Sequence, residues 1–504
     1  MQLGIDLGTS SVKAVVADSG ALSGNASVGA THASPVASSG EVVAEATAPL
    51  DVSRPGPKMS EQNPEHWWQA LELAMGQLRE HLPSVDAIGL SGQMHGAVLL
   101  GEADEVLRPA ILWNDGRADA ECEWMEEHTE VLSRTGNRAM PGFTAPKLIW
   151  VRRHEPAVFA ATRKVLLPKD WLRHRLTGEF VSEMSDASGT LWLDVSKRAW
   201  SDEMLAATEL DSTHMPRLVE GSEVSGTLRP DLAKAWGMRE VPVVGGAGDQ
   251  AAGAVGVGAI APGASFVSLG TSGVYFTPDT TFRPNPAGGV HAFCHALPGL
   301  WHQMSVILSA ASALTWFTAL THADSEAALV VEIEAADAEP GTLFFLPYLS
   351  GERTPHNDAN ALGAFVGLSH DTNRAQLGGA VLEGVAFALA DGQQALKDAG
   401  ANLGEVSVIG GGAQSLFWGK TLAAALARPL TYRQDAAVGP ALGAARLAAI
   451  ATTGADPQTI CPPAPIEAVI EPNPEAVDRA KERLTVFRDL YQDLKPRFPT
   501  LHRA

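Results

Sequence analysis

The sequence predicts an α/β protein made of two similar halves, and three observations carry that prediction. The string Ile5-Asp6-Leu7-Gly8-Thr9-Ser10-Ser11 has an echo at Ser268-Leu269-Gly270-Thr271-Ser272-Gly273, just past the midpoint of a chain of 504 residues. Strand-like apolar runs alternate with helical patterns, which is the signature of α/β layering. The length accommodates two domains of roughly 250 residues, each large enough to bury a full core.

Each copy of the repeat lies between short apolar runs, at 1–5 and 12–17 in the first and at 264–267 and 274–276 in the second. That pattern predicts strand, tight turn, strand: a β-hairpin with a polar tip. A tip rich in Gly, Thr and Ser offers backbone N–H groups and hydroxyls at close range, which is what holding phosphate oxygens requires. Two such tips, one in each half, suit a grip on one polyphosphate.

Between Ser19 and Gly40 the chain is rich in Ser, Ala and Gly where a tight turn would have sufficed, so an extended hairpin or an insertion at a loop tip is expected. Arg54-Pro55-Gly56-Pro57 reads as a turn. A helix follows from Pro64, with Trp67, Trp68, Leu71 and Leu73 supplying apolar area. The run 85–90 reads as a strand and 118–130 as a helix. The domain boundary is expected near Gly237 to Pro242, dividing the chain into 1–240 and 241–504, just before a strand pattern at 241–244. From Pro474, the residues Val477, Ala480, Leu484, Phe487, Tyr491 and Leu494 share one helical face, the pattern of a terminal helix packed on the body.

Lys and Arg number 37 against 58 Asp and Glu, a formal net charge of −21. This disfavours nucleic acid or an anionic membrane as partner. An acidic protein can still bind a nucleotide where backbone N–H groups and a divalent cation compensate locally. The three cysteines, Cys122, Cys294 and Cys461, lack metal-ligand spacing, so neither a disulfide framework nor a zinc site is expected. The chain opens directly on a strand pattern, and no apolar run approaches the roughly 20 residues that span a bilayer; a cytoplasmic location is expected.

Several strings carry candidate chemistry. Gly245-Gly246-Ala247-Gly248-Asp249-Gln250-Ala251 fits a dinucleotide fingerprint at Gly246, Gly248 and Ala251. A carboxylate inside the loop would repel a pyrophosphate, however, and Leu269 stands where a ribose-binding acid belongs. Asp249 at a strand's carboxyl end, opening the helical run 251–257, is instead placed as a general base: a sugar hydroxyl is a weak nucleophile, and its proton needs an acceptor as the O–P bond forms. Asp6, beside the first tip, is the candidate for organising Mg²⁺ through water, since Mg²⁺ dehydrates reluctantly. A single aspartate in a turn is ordinarily a capping residue; two beside duplicated phosphate-type tips point to chemistry.

Leu90-Ser91-Gly92-Gln93-Met94-His95-Gly96 ends a strand at the edge where open α/β sheets bind ligands, although a histidine there is more often structural. Trp113-Asn114-Asp115-Gly116-Arg117 suits a polyhydroxylated ligand and equally suits a Trp-anchored loop with a salt bridge. Gly410-Gly411-Gly412-Ala413, after the strand-like 406–409, fits close approach to a base or phosphate, and also plain strand-to-helix punctuation.

Taken together the chain resembles the FGGY family of carbohydrate kinases over nearly its whole length. Residues 142–150 (Gly-Phe-Thr-Ala-Pro-Lys-Leu-Ile-Trp) resemble its first signature, and Gly363-Ala364-Phe365-Val366-Gly367-Leu368 through Gln376-Leu377 to Glu383 its second. The resemblance implies two actin-like, ribonuclease-H-like domains flanking a deep cleft, with sugar bound mainly by the first and ATP by the second. It implies Asp6 as the metal-associated aspartate, and Thr9, Ser10 and Lys13 as the first phosphate loop. Gly270, Thr271 and Ser272 would be the second loop, Gly411, Gly412 and Ala413 the adenosine segment, and Asp249 the catalytic base.

Gln93, Met94, His95, Trp113, Asn114 and Asp115, with Leu349 to Pro355, resemble the branch that phosphorylates D-xylulose, so that Met94 and His95 touch the sugar. Members of that branch commonly carry Asn after the base, where Gln250 stands here; its amide reaches one methylene further, which bears on the preferred pentulose. L-ribulose, L-xylulose, D-ribulose or a polyol are the neighbouring substrates. A non-catalytic ATP switch of the actin or Hsp70 kind is the alternative of another class, but it would leave Asp249, His95 and Asn114 without a sugar to serve. A homodimer is the family expectation.

Overall fold

The computed structural model describes residues 1–18, 41–336, 341–434 and 439–501. The insertion expected between Ser19 and Gly40 lies outside the described residues.

Both expected hairpins form. Gln2–Leu7 pairs antiparallel with Ser11–Asp18, and Ala264–Leu269 with Gly273–Asp279. Each hairpin is the centre of a seven-stranded sheet. In the first sheet the strand order is Val224–Thr227, Pro242–Val244, Ala87–Gly92, Gln2–Leu7, Ser11–Asp18, Glu41–Pro49, with Ala247–Gly248 also paired to Ala87–Gly92. In the second it is Ile466–Ile470, Leu430–Arg433, Glu405–Ile409, Ala264–Leu269, Gly273–Asp279, Trp301–Ile307, His291–Cys294.

The polarities match strand for strand. Beside the hairpin's first strand run two parallel strands and then an antiparallel one. Beside its second strand the pairing is antiparallel. The repeat of six residues is therefore the visible remnant of a repeat of whole sheets, and the protein is two α/β domains, each on a mixed sheet.

Strands Pro242–Val244 and Ala247–Gly248, on the far side of the expected boundary at 240, join the first sheet by pairing with Ala87–Gly92. The helix Pro440–Thr453 also returns to that sheet. Gly4 and Gly89 admit it so closely that a Cβ on either would lie 1.8 and 1.9 Å from the carbonyl oxygens of Ala441 and Ala444. Its own Gly443 approaches the helix Asp249–Val257 as closely, since a Cβ there would lie 1.8 Å from the Ala252 oxygen. No side chain fits between these backbones, so glycine is required on the strands and on the helix.

The helix Pro64–Gln77 starts at the N-cap Asn63, whose side chain accepts from Glu65 N. It buries Trp67, Trp68, Leu71, Ala74 and Met75, residues at helical spacing, against the first sheet. Leu73, expected on the same face, points outward and is 63% exposed, because the buried stripe passes on either side of it. The helix expected at 118–130 spans Asp119–His128.

The terminal helix Pro474–Leu494 buries Phe487 and Tyr491 and half-buries Ala480, Leu484 and Leu494, as its spacing predicts. Arg483 pins it to the body with two bonds to Glu383 (2.7 and 2.6 Å) and one to Leu343 O (2.6 Å). The last residue of the second signature thus fastens the terminal helix. Among the described residues, no helix is long and apolar enough to cross a membrane.

Candidate functional site

The candidate site grows from the carboxyl ends of three adjacent strands. Gln2–Leu7 and Ala247–Gly248 both run parallel to Ala87–Gly92 and flank it, so that Asp6, Ser91 and Ala247 stand on one rung and Leu7, Gly92 and Gly248 on the next. Asp249 follows directly as the first residue of the helix Asp249–Val257, with Gly248 as N-cap. Asp6 and Asp249 are thus set apart by about two strand spacings, roughly 10 Å.

The turn that delivers Asp249 is held from behind. Gly248 N donates to Ser185 Oγ at 3.1 Å, and Ser185 Oγ donates in turn to Glu183 (2.8 Å). Arg173 donates to Gly245 O and, at 3.0 Å, to Asp170. Lys169, at 2.7 Å from Asp170, 3.3 Å from Glu183 and 3.0 Å from Asp186, ties these groups into one fully buried ionic network. Gly246 turns the backbone at φ 70°, and a Cβ there would meet Leu90 O at 1.9 Å.

Both aspartates are half-buried, and both titrate high. Burial pushes Asp249 up to about 7, the like charge of Asp6 pushes the same way, and the N–H of Gln250, donating to Oδ1 at 2.8 Å, opposes them. Burial pushes Asp6 up to about 6, against the pull of Ser91 and of Lys13. Asp6 Oδ1 and Ser91 Oγ are buried and, beyond the pull of the Ser91 hydroxyl on the Asp6 carboxylate, meet no hydrogen-bond partner. Two buried oxygens at a strand end with spare hydrogen-bonding capacity suit a site completed by something outside the chain.

On the sugar side expected from the sequence, Met94 is buried against Gly248 and Gly189: a Cβ on Gly248 would lie 2.8 Å from its Cγ, and one on Gly189 3.4 Å from its Cε. His95 Nδ1 stands 3.0 Å from Gly189 O. A carbonyl only accepts, so Nδ1 carries the proton and Nε2 keeps its lone pair. Burial holds the imidazole well below its usual value, hence neutral.

Gln93 Nε2 donates to Gln62 Oε1 (2.9 Å), and Gln93 Oε1 accepts from the Thr9 hydroxyl (3.0 Å), which itself accepts from Trp113 Nε1 (2.9 Å). The first tip and the Trp113 loop are therefore wired together. Trp113 is 37% exposed and Asn114 is exposed beside it. Asp115 is buried, and its oxygens accept from Ser60 N (2.6 Å) and from Arg117 N, Nε and Nη2. The salt bridge left open by the sequence exists, buried rather than at the surface.

Lys13, register partner of Asp6, pairs with Glu45 at 2.9 Å, and Ser10 is exposed at the tip. At the second tip, Gly270 O accepts from Ala311 N (2.8 Å) and Thr271 O from Ser312 Oγ (2.7 Å), while Ser272 is half-buried. The loop at Gly411, Gly412 and Ala413 is a 3₁₀ turn between Glu405–Ile409 and the helix Leu416–Leu426. It lies against this tip, where a Cβ on Gly412 would be 2.7 Å from Leu269 Cβ. Asp6, Asp249, Gln250, Gln93, Met94 and His95 thus share the first sheet's edge. Gly270 to Ser272 and the Gly-rich turn share the second's.

Sequence reasoning missed Ser91 as a site residue, together with Gly189, Ser185 and Phe143. Ser91 lies inside the quoted string and was recognisable from its strand-end position. Phe143 lies inside the first signature, 142–150, although nothing local ties it to His95; Gly189 and Ser185 come near the site only through long-range packing, and no local pattern marks them. Among the described residues, no group of three or more His, Cys, Asp or Glu could hold a metal ion.

Comparison with known proteins follows the same two-part plan. Residues 28–256 match the N-terminal domain, and residues 265–452 the C-terminal domain, of the FGGY family of carbohydrate kinases. The first match takes in strands 242–248, which join the first sheet. The chain is 51% identical to the xylulose kinase of Escherichia coli K12, covering 98% of this chain and 99% of the relative. It is 49% identical, with the same coverage, to the xylulose kinase of Klebsiella pneumoniae. The crystal structure of a xyloylose kinase from Brucella ovis superposes with a TM-score of 0.91 at 48% identity, covering 98% of this chain and 99% of that one. The expected plan of two actin-like α/β domains is the one observed.

Proposed function

We infer from one premise, that this chain belongs to the FGGY family of carbohydrate kinases, that it transfers the γ-phosphoryl group of ATP to D-xylulose and yields D-xylulose 5-phosphate. The observation that carries the reading is the likeness at about half identity, over 98% of the chain, to proteins named as xylulose kinases.

The geometry supports a mechanism. Asp249 accepts the proton of the terminal sugar hydroxyl while the oxygen bonds to the γ-phosphorus and the bond to the ADP oxygen breaks. A carboxylate raised toward 7 is well matched to this task, because a base titrating near the working pH combines adequate basicity with a useful ionised fraction. Gln93, Met94, His95, Trp113, Asn114 and Gln250 are assigned to the sugar, and Asp115 holds their loop. Neutral His95 offers Nε2 as acceptor to a hydroxyl. Thr9, Ser10 and Lys13 at one tip, and Gly270, Thr271 and Ser272 at the other, are assigned to the phosphates; Gly411, Gly412 and Ala413 are assigned to the adenosine.

Mg²⁺ fits at Asp6, where a buried carboxylate oxygen has no partner other than the neighbouring Ser91 hydroxyl. A single protein carboxylate suits an ion that keeps its waters and takes phosphate oxygens; when bound, it supplies charge neutralisation of the polyphosphate. A division into a sugar domain, 1–240 by sequence with strands 242–248 added to its sheet, and a nucleotide domain formed by the rest of 241–504, a cytoplasmic location and a homodimer complete the proposal. Gln250 favours a second reading of specificity alone: its longer amide alters the pocket for L-ribulose, L-xylulose, D-ribulose or a polyol.

The test is ADP release with Mg-ATP against D-xylulose, L-ribulose, D-ribulose, L-xylulose, xylitol and glycerol. D-xylulose is expected to dominate. Dominance of another sugar would overturn the specificity and implicate Gln250, and no sugar-dependent ADP release would overturn the kinase.

A further inference from the structure

We propose that Lys147 and Thr144 are positioning residues that lock His95 into the conformation in which it meets the sugar, so that the segment 142–150 sets sugar affinity without touching the sugar. The proposal rests on the reading of His95 as a sugar contact.

His95 is the anomaly that needs support. Its φ is 67°, in the left-handed region, where a non-glycine residue is held only if its surroundings over-determine it. The backbone on either side gives little freedom: Gly96 N donates to Met94 O at 2.9 Å, and a Cβ on Gly96 would meet Pro168 at 2.5 Å.

Four contacts fix the residue, and three come from one segment. The His95 carbonyl accepts from Lys147 Nζ at 2.8 Å and from Thr144 Oγ1 at 3.1 Å. The imidazole packs on Phe143 with ring centroids 4.4 Å apart. The fourth is the bond from Nδ1 to Gly189 O, and only glycine is tolerated there, since a Cβ would lie 2.2 Å from the ring. Together these orient both carbonyl and ring and leave Nε2 as the free acceptor.

Lys147 is fully buried, and its two hydrogen bonds go to backbone carbonyls, His95 O and Gly142 O (2.7 Å). A lysine buried to form an ion pair would face a carboxylate. Burial pushes its amine well below the ordinary value, and a neutral amine has two N–H groups for these two acceptors. Gly142 is itself pressed on the sugar-side loop: a Cβ there would lie 2.1 Å from Trp113 O. The first signature therefore acts as a bracket, fastened to the Trp113 loop at one end and to His95 at the other.

The experiment is a set of double-mutant cycles in the full-length enzyme, reading kcat and the KM values for D-xylulose and ATP. Lys147→Met is expected to raise the D-xylulose KM about tenfold, by loss of its bonds to His95 O and Gly142 O, and Thr144→Val about threefold, by loss of its one bond to His95 O, with the ATP KM unchanged. Thr144→Ser, which keeps the hydroxyl, is expected to restore the parental value. In a His95→Ala background neither substitution is expected to add anything.

Multiplicative losses in that background, or a parallel rise in the ATP KM, would overturn the proposal. Should Lys147→Met fail to fold, the Thr144 series carries the same test. A parental sugar KM in His95→Ala alone would remove the His95 reading and this proposal with it. Additivity on a His95→Ala enzyme that does bind sugar weakly would remove only the proposal.

Discussion

Asp6 and Asp249 leave the same end of one sheet from strands that share a single neighbour, Ala87–Gly92, and neither has an ion-pair partner that offsets its burial. Each therefore titrates high, and each raises the cost of ionising the other. Most of the chemistry expected of the site is contained in that relationship.

Asp249→Asn keeps the shape and removes the base. The expected result is a fall in kcat of about 10³-fold or more, with the D-xylulose KM within about threefold of the parent. Near-parental turnover in a coupled ADP assay would eliminate Asp249 as the base.

The same substitution is expected to stabilise the protein at pH 8. The carboxyl moves from an ordinary 3.8 to about 7 on folding, so the folded state holds its proton more tightly than the unfolded chain. Stability is then lost as pH rises from about 4 through 7, and the loss is complete above it. Removing the group should raise Tm by about 1–3 °C at pH 8 and leave it nearly unchanged at pH 4.5. An equal shift at both values would contradict the assigned titration.

For activity, the sign is opposite. Protonated Asp249 accepts nothing, so kcat/KM for the sugar is expected to fall about tenfold per pH unit below about 7. The two carboxyls titrate as a pair, and the limb belongs to both. Asp6→Asn removes the like charge and should move the Asp249 transition to lower pH, measured by carboxyl ¹³C chemical shift, which does not depend on turnover.

Gln250→Asn shortens the amide next to the base. The expected effect is a change of less than about tenfold in the D-xylulose KM, with a shifted ranking against L-ribulose and unchanged ATP KM. An altered ATP KM would place Gln250 away from the sugar.

Arg483→Met is expected to destabilise without impairing catalysis. It removes the hydrogen bonds that Arg483 donates to Glu383, Leu343 O and Gly341 O at a half-buried site and loosens the terminal helix. A loss of about 2–4 kcal/mol in urea unfolding, with parental kcat/KM at 25 °C, would fit.

What the sequence made legible was local. The hairpin tips were readable because their turn chemistry recurs, and Asp249 because strand, glycines, acid and helix follow one another without a break. The boundary region was harder: 242–248 looked like the opening of the second half, yet its pairing with Ala87–Gly92 spans more than 150 residues of chain, and no local pattern encodes a long-range rung. Leu73 illustrates a finer limit, since a helix contributes only the stripe its neighbours cover. Asp115 kept both of its readings until Ser60 and Arg117 were found on its oxygens. Ser185 could not be singled out at all, and Phe143 only as a letter of the first signature, because their importance lies in what other parts of the chain bring to them.

The helix Pro440–Thr453 belongs by sequence to the second half, yet it rests its carbonyls on Gly4 and Gly89 with no side chain between. Such a seat has no lubricating layer: sliding along it would drive backbone into backbone, whereas rocking about it moves little. The two halves are in this sense hung on an axle rather than a track. Any angular change at such an axle would become a displacement that grows with distance from it, and would move the tip at Gly270 relative to Asp6 more than it moved the seat at Gly89. Widening that bearing by one methyl, with Gly89→Ala, would be felt first as lost fit of the whole machine and only then as lost chemistry.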